Sequence, residues 1–215
     1  MNKHKEHEEV LREDDNSIVS ESLDMVMNWK PVSDVFALKN FMYASAFTNG
    51  GSAVYINAHF RKVLKLKNHA FMASLIPVVL TPALVGGLLH HQFVQRPMLL
   101  QTFKCPVCIE MRGGLVQFFS GIVYPMMLAP LAGFQFAARL YTYPVPDARK
   151  PLSVVKEIAK ITRPFLSKLY ILAGINIIAG VAWTHWEFHN LYTVAAKMAQ
   201  MEEELKEHHK GKLSL

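Results

Sequence analysis

The chain has 215 residues, of which 51% are hydrophobic and 19% charged, with a formal net charge of +6 and two cysteines. That length is one ordinary domain, and two cysteines exclude a disulfide scaffold. Charge is segregated into the first 39 residues, two short basic stretches and the tail, which excludes an ordinary soluble globule and favours a polytopic membrane protein with polar ends.

Residues 1–39 form a polar, acidic segment. They contain no apolar h-region, so a secretory signal peptide is not expected. Glu6, Glu8, Glu9, Glu13, Asp14 and Asp15 are foreign to cleavable mitochondrial presequences, so any organellar address is expected to be internal.

Uncharged runs then mark the spans. No Asp, Glu, Lys or Arg occurs from Asn68 to Gln95, from Gly113 to Ala138, or from Leu169 to Trp186. A helix needs about 20 apolar residues to cross the hydrocarbon core. Asn40 to Phe60 is also uncharged, but Asn49, Gly50, Gly51, Ser52 and Asn57 make it the least apolar of the four. A buried helix of a soluble all-α protein is also apolar all round, but such a fold would leave charges on an outer face within each run. None occur there. The expected fold is therefore all-α, with about four transmembrane helices near 40–60, 70–91, 113–138 and 168–186. These make a four-helix membrane domain over 40–190, followed by a charged helical tail over 191–215.

Two spans carry paired prolines, Pro77 with Pro82 and Pro125 with Pro130. Each proline removes a backbone donor and bends its helix, and in lipid the freed carbonyl needs protein or water beside it. Ala129, Gly133 and Ala137 recur at helical spacing, as do Ala83 and Gly87. Such small residues let helix backbones approach closely in a membrane, so both stripes are candidate packing surfaces.

Basic residues give an orientation. Arg61, Lys62, Lys65 and Lys67 follow the first span, and seven Lys or Arg lie from Arg139 to Lys168. Only Arg96, Lys104 and Arg112 lie between the second and third. Positive loops tend to stay on the side of synthesis, which places both termini and the Cys105 loop on the opposite side. The tail carries Glu202 and Lys206 as an i,i+4 pair and reads as a solvated helix or a handle for a partner.

The chemistry-bearing residues are few. Cys105-Pro106-Val107-Cys108 has the spacing of a redox dithiol, of half a zinc site, or of a structural pair, reduced or disulfide-bonded. Lys104 and the start of a helix would lower a thiol pKa there, but the βαβ context of thioredoxin-like enzymes is missing. His90 and His91 would have to complete a zinc site, and adjacent histidines rarely ligate one ion well. The structural pair is the reading these surroundings favour. His185, between Trp183 and Trp186, reads as part of an interfacial aromatic belt, and intramembrane ionisable groups look nearly absent. There is no Walker loop, no G-x-G-x-x-G, and no basic stretch interleaved with aromatics for nucleic acid. An enzyme, a cofactor, a metal and a small-molecule substrate are not expected. A small membrane redox protein using Cys105 and Cys108 is the alternative, and a channel is disfavoured by the lack of a polar pore-lining stripe.

Three segments, "INAHFRKVLKLKNHAFMASLIP", "CPVCIEMRGGLVQFFSGIVYPMMLAPLAGFQFAARLYTYPVP" and "EIAKITRPFLSK", together resemble the transmembrane protein 126 family. The resemblance covers Val54 to Lys168. It rests on the order and spacing of Cys105, Cys108, Arg112, Gly114, Leu115, Gly121, Tyr124-Pro125, Ala137-Ala138-Arg139 and Arg163-Pro164. The Asn49-Gly50-Gly51 patch departs from the more apolar first span of that family. The resemblance implies a multi-pass protein of the mitochondrial inner membrane that scaffolds assembly of the membrane arm of respiratory complex I. It implies as partners complex I assembly factors, membrane-arm subunits and the lipid bilayer, and it brings no catalytic residues.

Overall fold

A computed structural model describes residues 2–67, 69, 71–103, 105–146 and 150–213. Lys104, expected to lend charge to Cys105, and Arg149 lie outside the described residues. All regular structure among the described residues is helical: α1 (Asn2–Asn28), α2 (Phe36–Val63), α3 (Phe71–Leu99), α4 (Pro106–Leu140), α5 (Pro151–Thr162) and α6 (Leu166–Leu213), with single 3₁₀ turns at Val32–Val35 and Arg163–Phe165.

Three stretches are long and apolar enough to cross a membrane: Phe71–Leu99, Pro106–Leu140 and the α5–α6 stretch Pro151–His209. Helix α2 occupies the place of the expected first span, lying against α3, α4 and α6, but is less apolar. The reason is the distribution of its side chains. Ser45, Asn49, Ser52 and Asn57 face inward and are buried, whereas Met42, Tyr43, Phe47 and Val54 are exposed. A polar inside and an apolar outside suit a helix surrounded by lipid rather than water. The protein is an all-α polytopic membrane protein.

The prolines act through local widening of the helices. A π-helical turn occupies Ile76–Leu80, His91–Gln95 and Phe119–Val123, and each ends two residues before a proline: Pro82, Pro97 and Pro125. In an unbroken α-helix each proline ring would press on the carbonyl four residues back. Admitting one extra residue per turn moves that carbonyl aside while the chain stays helical. The shift is visible where Arg96 N–H donates to His91 O and Tyr124 N–H to Phe119 O. Pro130, by contrast, sits inside regular helix. The Pro97 widening was not anticipated from the paired-proline pattern.

The interior is layered along the bundle. At one end lies an apolar core of Ile56, Phe60, Leu64, Leu66, Val78, Ala129, Phe134, Ala137, Ile161 and Phe165. At the other end Val94, Met98, Ile109 and Phe188 form a second core, beside which Val26, Val35 and Val194 pack the N-terminal segment onto α6. Between the two lies polar material.

The segment leading into α2 and the middle of α6 meet beside the second core. Ala37 N–H, an orphan donor in the first turn of α2, donates to Asn190 Oδ1 at 2.8 Å, and Lys197 pairs with Asp34. The basic α2–α3 turn and α5 lie at the opposite end, where His59 Nε2 meets Ile161 O at 3.1 Å and the His59 ring stacks on Phe165. The tail is not a separate element. Helix α6 runs unbroken for 48 residues, roughly 72 Å at 1.5 Å per residue, so its last turns extend well beyond a ~30 Å hydrocarbon core.

Candidate functional site: the polar interior of the bundle

Midway along α2, α4 and α6 the buried side chains form two hydrogen-bonded groups. In the first, Asn49 Nδ2 donates to Ser45 Oγ (3.1 Å) and Ser120 Oγ (3.0 Å), Ser45 donates to Gln117 Oε1 (3.2 Å), and Gln117 Nε2 donates to Thr48. In the second, Asn176 Nδ2 donates to Ser52 Oγ at 2.7 Å. The Asn49 and Asn176 carbonyl oxygens both remain without a donor and both face the Cα of Gly121, where a Cβ would collide with them. Gly121 sits in a π turn, and the missing side chain is what lets both amides approach. In lipid such a seam fixes helix register, since any slip leaves buried polar groups unpaired.

About three turns along α6 from Asn176 lies a further cluster. His90 Nε2 lies 2.8 Å from Glu187 Oε2, and Gln95 Nε2 donates to Glu187 Oε1 at 2.8 Å and to Leu38 O at 3.2 Å. His90 and Glu187 are fully buried, and the His90 ring stacks on Phe41 with centroids 3.3 Å apart. This corrects the expectation that intramembrane ionisable groups are nearly absent. Glu187, the first charged residue after the uncharged run that ends at Trp186, is inside the bundle and fully buried. His90 faces Glu187 rather than the cysteines, and His91 Nδ1 meets Gln95 Oε1 at 3.1 Å, so neither is aimed at a zinc site. Among the described residues no group of three or more His, Cys, Asp or Glu is placed to hold a metal ion. His185 is mostly exposed and meets Glu110 Oε1 at 2.9 Å. Its neighbours Trp183 and Trp186 lie 5.3 Å apart by ring centroids, with Phe36 against both.

The small-residue stripes sit within this packing. Ala129 and Ala137 are fully buried, and a Cβ on Gly133 would lie 2.5 Å from Leu64 Cδ1 of the α2–α3 turn. Ala83 is buried, and a Cβ on Gly87 would lie 2.8 Å from Met42 Sδ on α2. The tightest crossing was not singled out from sequence. Where α4 meets α6, a Cβ on Gly180 would lie 2.6 Å from the Gly113 carbonyl oxygen, and one on Gly114 would lie 3.3 Å from Ile177 O. Backbone touches backbone there. The Gly113-Gly114 pair facing Ala179-Gly180 was the available signal.

Cys105 and Cys108 are both free thiols at the start of α4. Cys105 is the N-cap, and its Sγ accepts the Cys108 N–H at 3.3 Å. Hydrogen bonds from the Cys108 side chain and then its backbone hold the Cys105 thiol below its ordinary range. Both thiols line a cavity of about 330 Å³ with Phe103, Ile109 and Arg112.

Lipid-facing helices around a polar interior with glycine crossings define the class, a multi-pass α-helical membrane protein stabilised by close helix contact. The family is that of transmembrane protein 126: its model matches residues 18–204, and the chain belongs to it. Transmembrane protein 126 of Drosophila melanogaster is 34% identical over 187 residues, covering 86% of this chain and 84% of the relative. Transmembrane protein 126A of Rattus norvegicus is 33% identical, and that of Mus musculus 31%, each over 49% of this chain and 55% of the relative. No solved structure matches.

Proposed function

We propose that this chain is a non-enzymatic scaffold of the mitochondrial inner membrane that acts in assembling the membrane arm of respiratory complex I. Membership of the transmembrane protein 126 family carries this reading. The molecule's construction supports it. Most buried polar side chains of the spans hydrogen-bond to each other inside the bundle, whereas α3 presents Ile76, Leu80, Leu84 and Leu88, four apart, on its outer face. Such a ridge offers shape and dispersion contact to a neighbouring membrane helix without chemistry.

Deleting the protein tests the proposal. Mature complex I should fall on native gels and membrane-arm intermediates should accumulate, while the other respiratory complexes keep their level. Re-expression of the chain carrying both Cys105→Ser and Cys108→Ser should restore complex I. A normal complex I level in the deletion contradicts the scaffold reading. Failed rescue at normal protein level would instead assign the work to the thiols.

A further inference from the structure

We propose that the groove between the end of α2 and the start of α3 is a binding site for an anionic phospholipid of the surrounding bilayer. The groove encloses about 260 Å³. It is lined by the apolar side chains of Val54, Ala58, Phe71 and Leu75, by Asn57 and Arg61, and by Lys62 and Lys67. Acyl chains match the apolar side chains and a phosphate the lysines. Basic pockets between transmembrane helices select anionic headgroups in this way.

The site is built rather than incidental. Lys65 and Lys67 adopt left-handed backbone conformations, with φ of 56° and 47°, which cost non-glycine residues free energy. The turn is held in that shape by its neighbours. Leu64 and Leu66 are fully buried in the apolar core, so the alternating lysines are turned outward. Arg61 donates from one guanidinium nitrogen to the carbonyls of Lys67 (2.7 Å) and His69 (2.9 Å), and from another to Ser74 Oγ (2.6 Å). The buried arginine fixes the turn while Lys62 and Lys67 stay exposed. Among the described residues neither lysine meets a carboxylate. Exposed lysines at the end of a span, beside a largely apolar groove, complement an anionic lipid.

Native mass spectrometry of the full chain in detergent, titrated separately with cardiolipin and with phosphatidylcholine, tests this. Cardiolipin should be retained and phosphatidylcholine should not. A basic residue near the membrane surface is worth about 5-fold in affinity, so Lys62→Gln with Lys67→Gln should weaken cardiolipin binding roughly 30-fold. Val54→Trp fills the groove with charge unchanged and should weaken binding about 5-fold or more, as excluding one or two buried CH₂ groups of the lipid would. Lys156→Gln with Lys160→Gln removes equal charge from exposed positions on α5 and should leave binding within about 2-fold. Equal retention of both lipids, equal losses in the groove and α5 variants, or displacement by an equal concentration of inorganic phosphate would each overturn the proposal.

Discussion

Replacing Glu187 by alanine removes the acceptor on which two buried donors converge. His90 Nε2 and Gln95 Nε2 each lie 2.8 Å from a different oxygen of that carboxylate. A buried donor left unpaired costs about 1–3 kcal/mol, so two together should cost about 2–6 kcal/mol. His90 and Glu187 are fully buried, so water reaches the vacated space poorly. For a chain of this size 1 kcal/mol moves a melting temperature by about 2–4 °C, so Glu187→Ala should lower it by about 10 °C. The assay is thermal unfolding of the purified full chain in detergent, followed by tryptophan fluorescence. Removing all three polar groups with His90→Leu, Gln95→Leu and Glu187→Leu should recover most of the loss, because an apolar core of similar volume carries no orphaned groups. An unchanged melting temperature in Glu187→Ala would refute the reasoning, as would a triple variant less stable than the single.

Other perturbations have equally specific outcomes. Gly180→Leu drives α4 and α6 apart at a backbone contact and should abolish folded protein, whereas Gly51→Ala, with nothing within 4 Å, should keep the melting temperature or raise it slightly through helix propensity; size-exclusion profiles of both decide this. Gly133→Leu must displace Leu64 inside the bundle, at about 1–3 kcal/mol, so it should destabilise the isolated protein itself rather than only its assemblies, as thermal unfolding will show. Cys105 should be alkylated by iodoacetamide at a lower pH than an ordinary thiol, and Cys108→Ala should move that profile upward, read by mass spectrometry. The hydrogen bond from Lys197 holds the Asp34 carboxyl below its usual 3.8. The contribution of this pair to docking of the N-terminal segment is therefore present above that value and lost as pH falls through the lower one, and Lys197→Gln should increase protease cleavage near Trp29 at neutral pH.

The spans were legible because length and absence of charge are one-dimensional properties. The stretches around Pro77, Pro125 and Ile175 could be recognised without knowing their neighbours. Side-chain direction was not legible. Asn49 and Ser52 looked like weak points of a span, yet they are the buried, hydrogen-bonded face of α2. Glu187 follows an uncharged run, and sequence does not show that His90, 97 positions away, lies opposite it. Glycine stripes announced close packing but not its partners: Gly133 meets Leu64, and the closest crossing belongs to Gly113 and Gly180. Helix α6 shows a different limit. Its change of composition after Tyr192 marks where polar surroundings begin, while the backbone continues as one helix.

The scaffold account makes its most direct claim about company. The full chain, tagged at its C-terminus and purified from mitochondria solubilised in a mild detergent, can be compared by quantitative mass spectrometry with an unrelated inner-membrane protein of similar abundance. The account predicts enrichment of membrane-arm subunits of complex I and of its assembly factors, with peripheral-arm subunits and the other respiratory complexes at background. Enrichment of thiol–disulfide enzymes and their substrates in place of membrane-arm subunits, or no enrichment above the control protein, would contradict it.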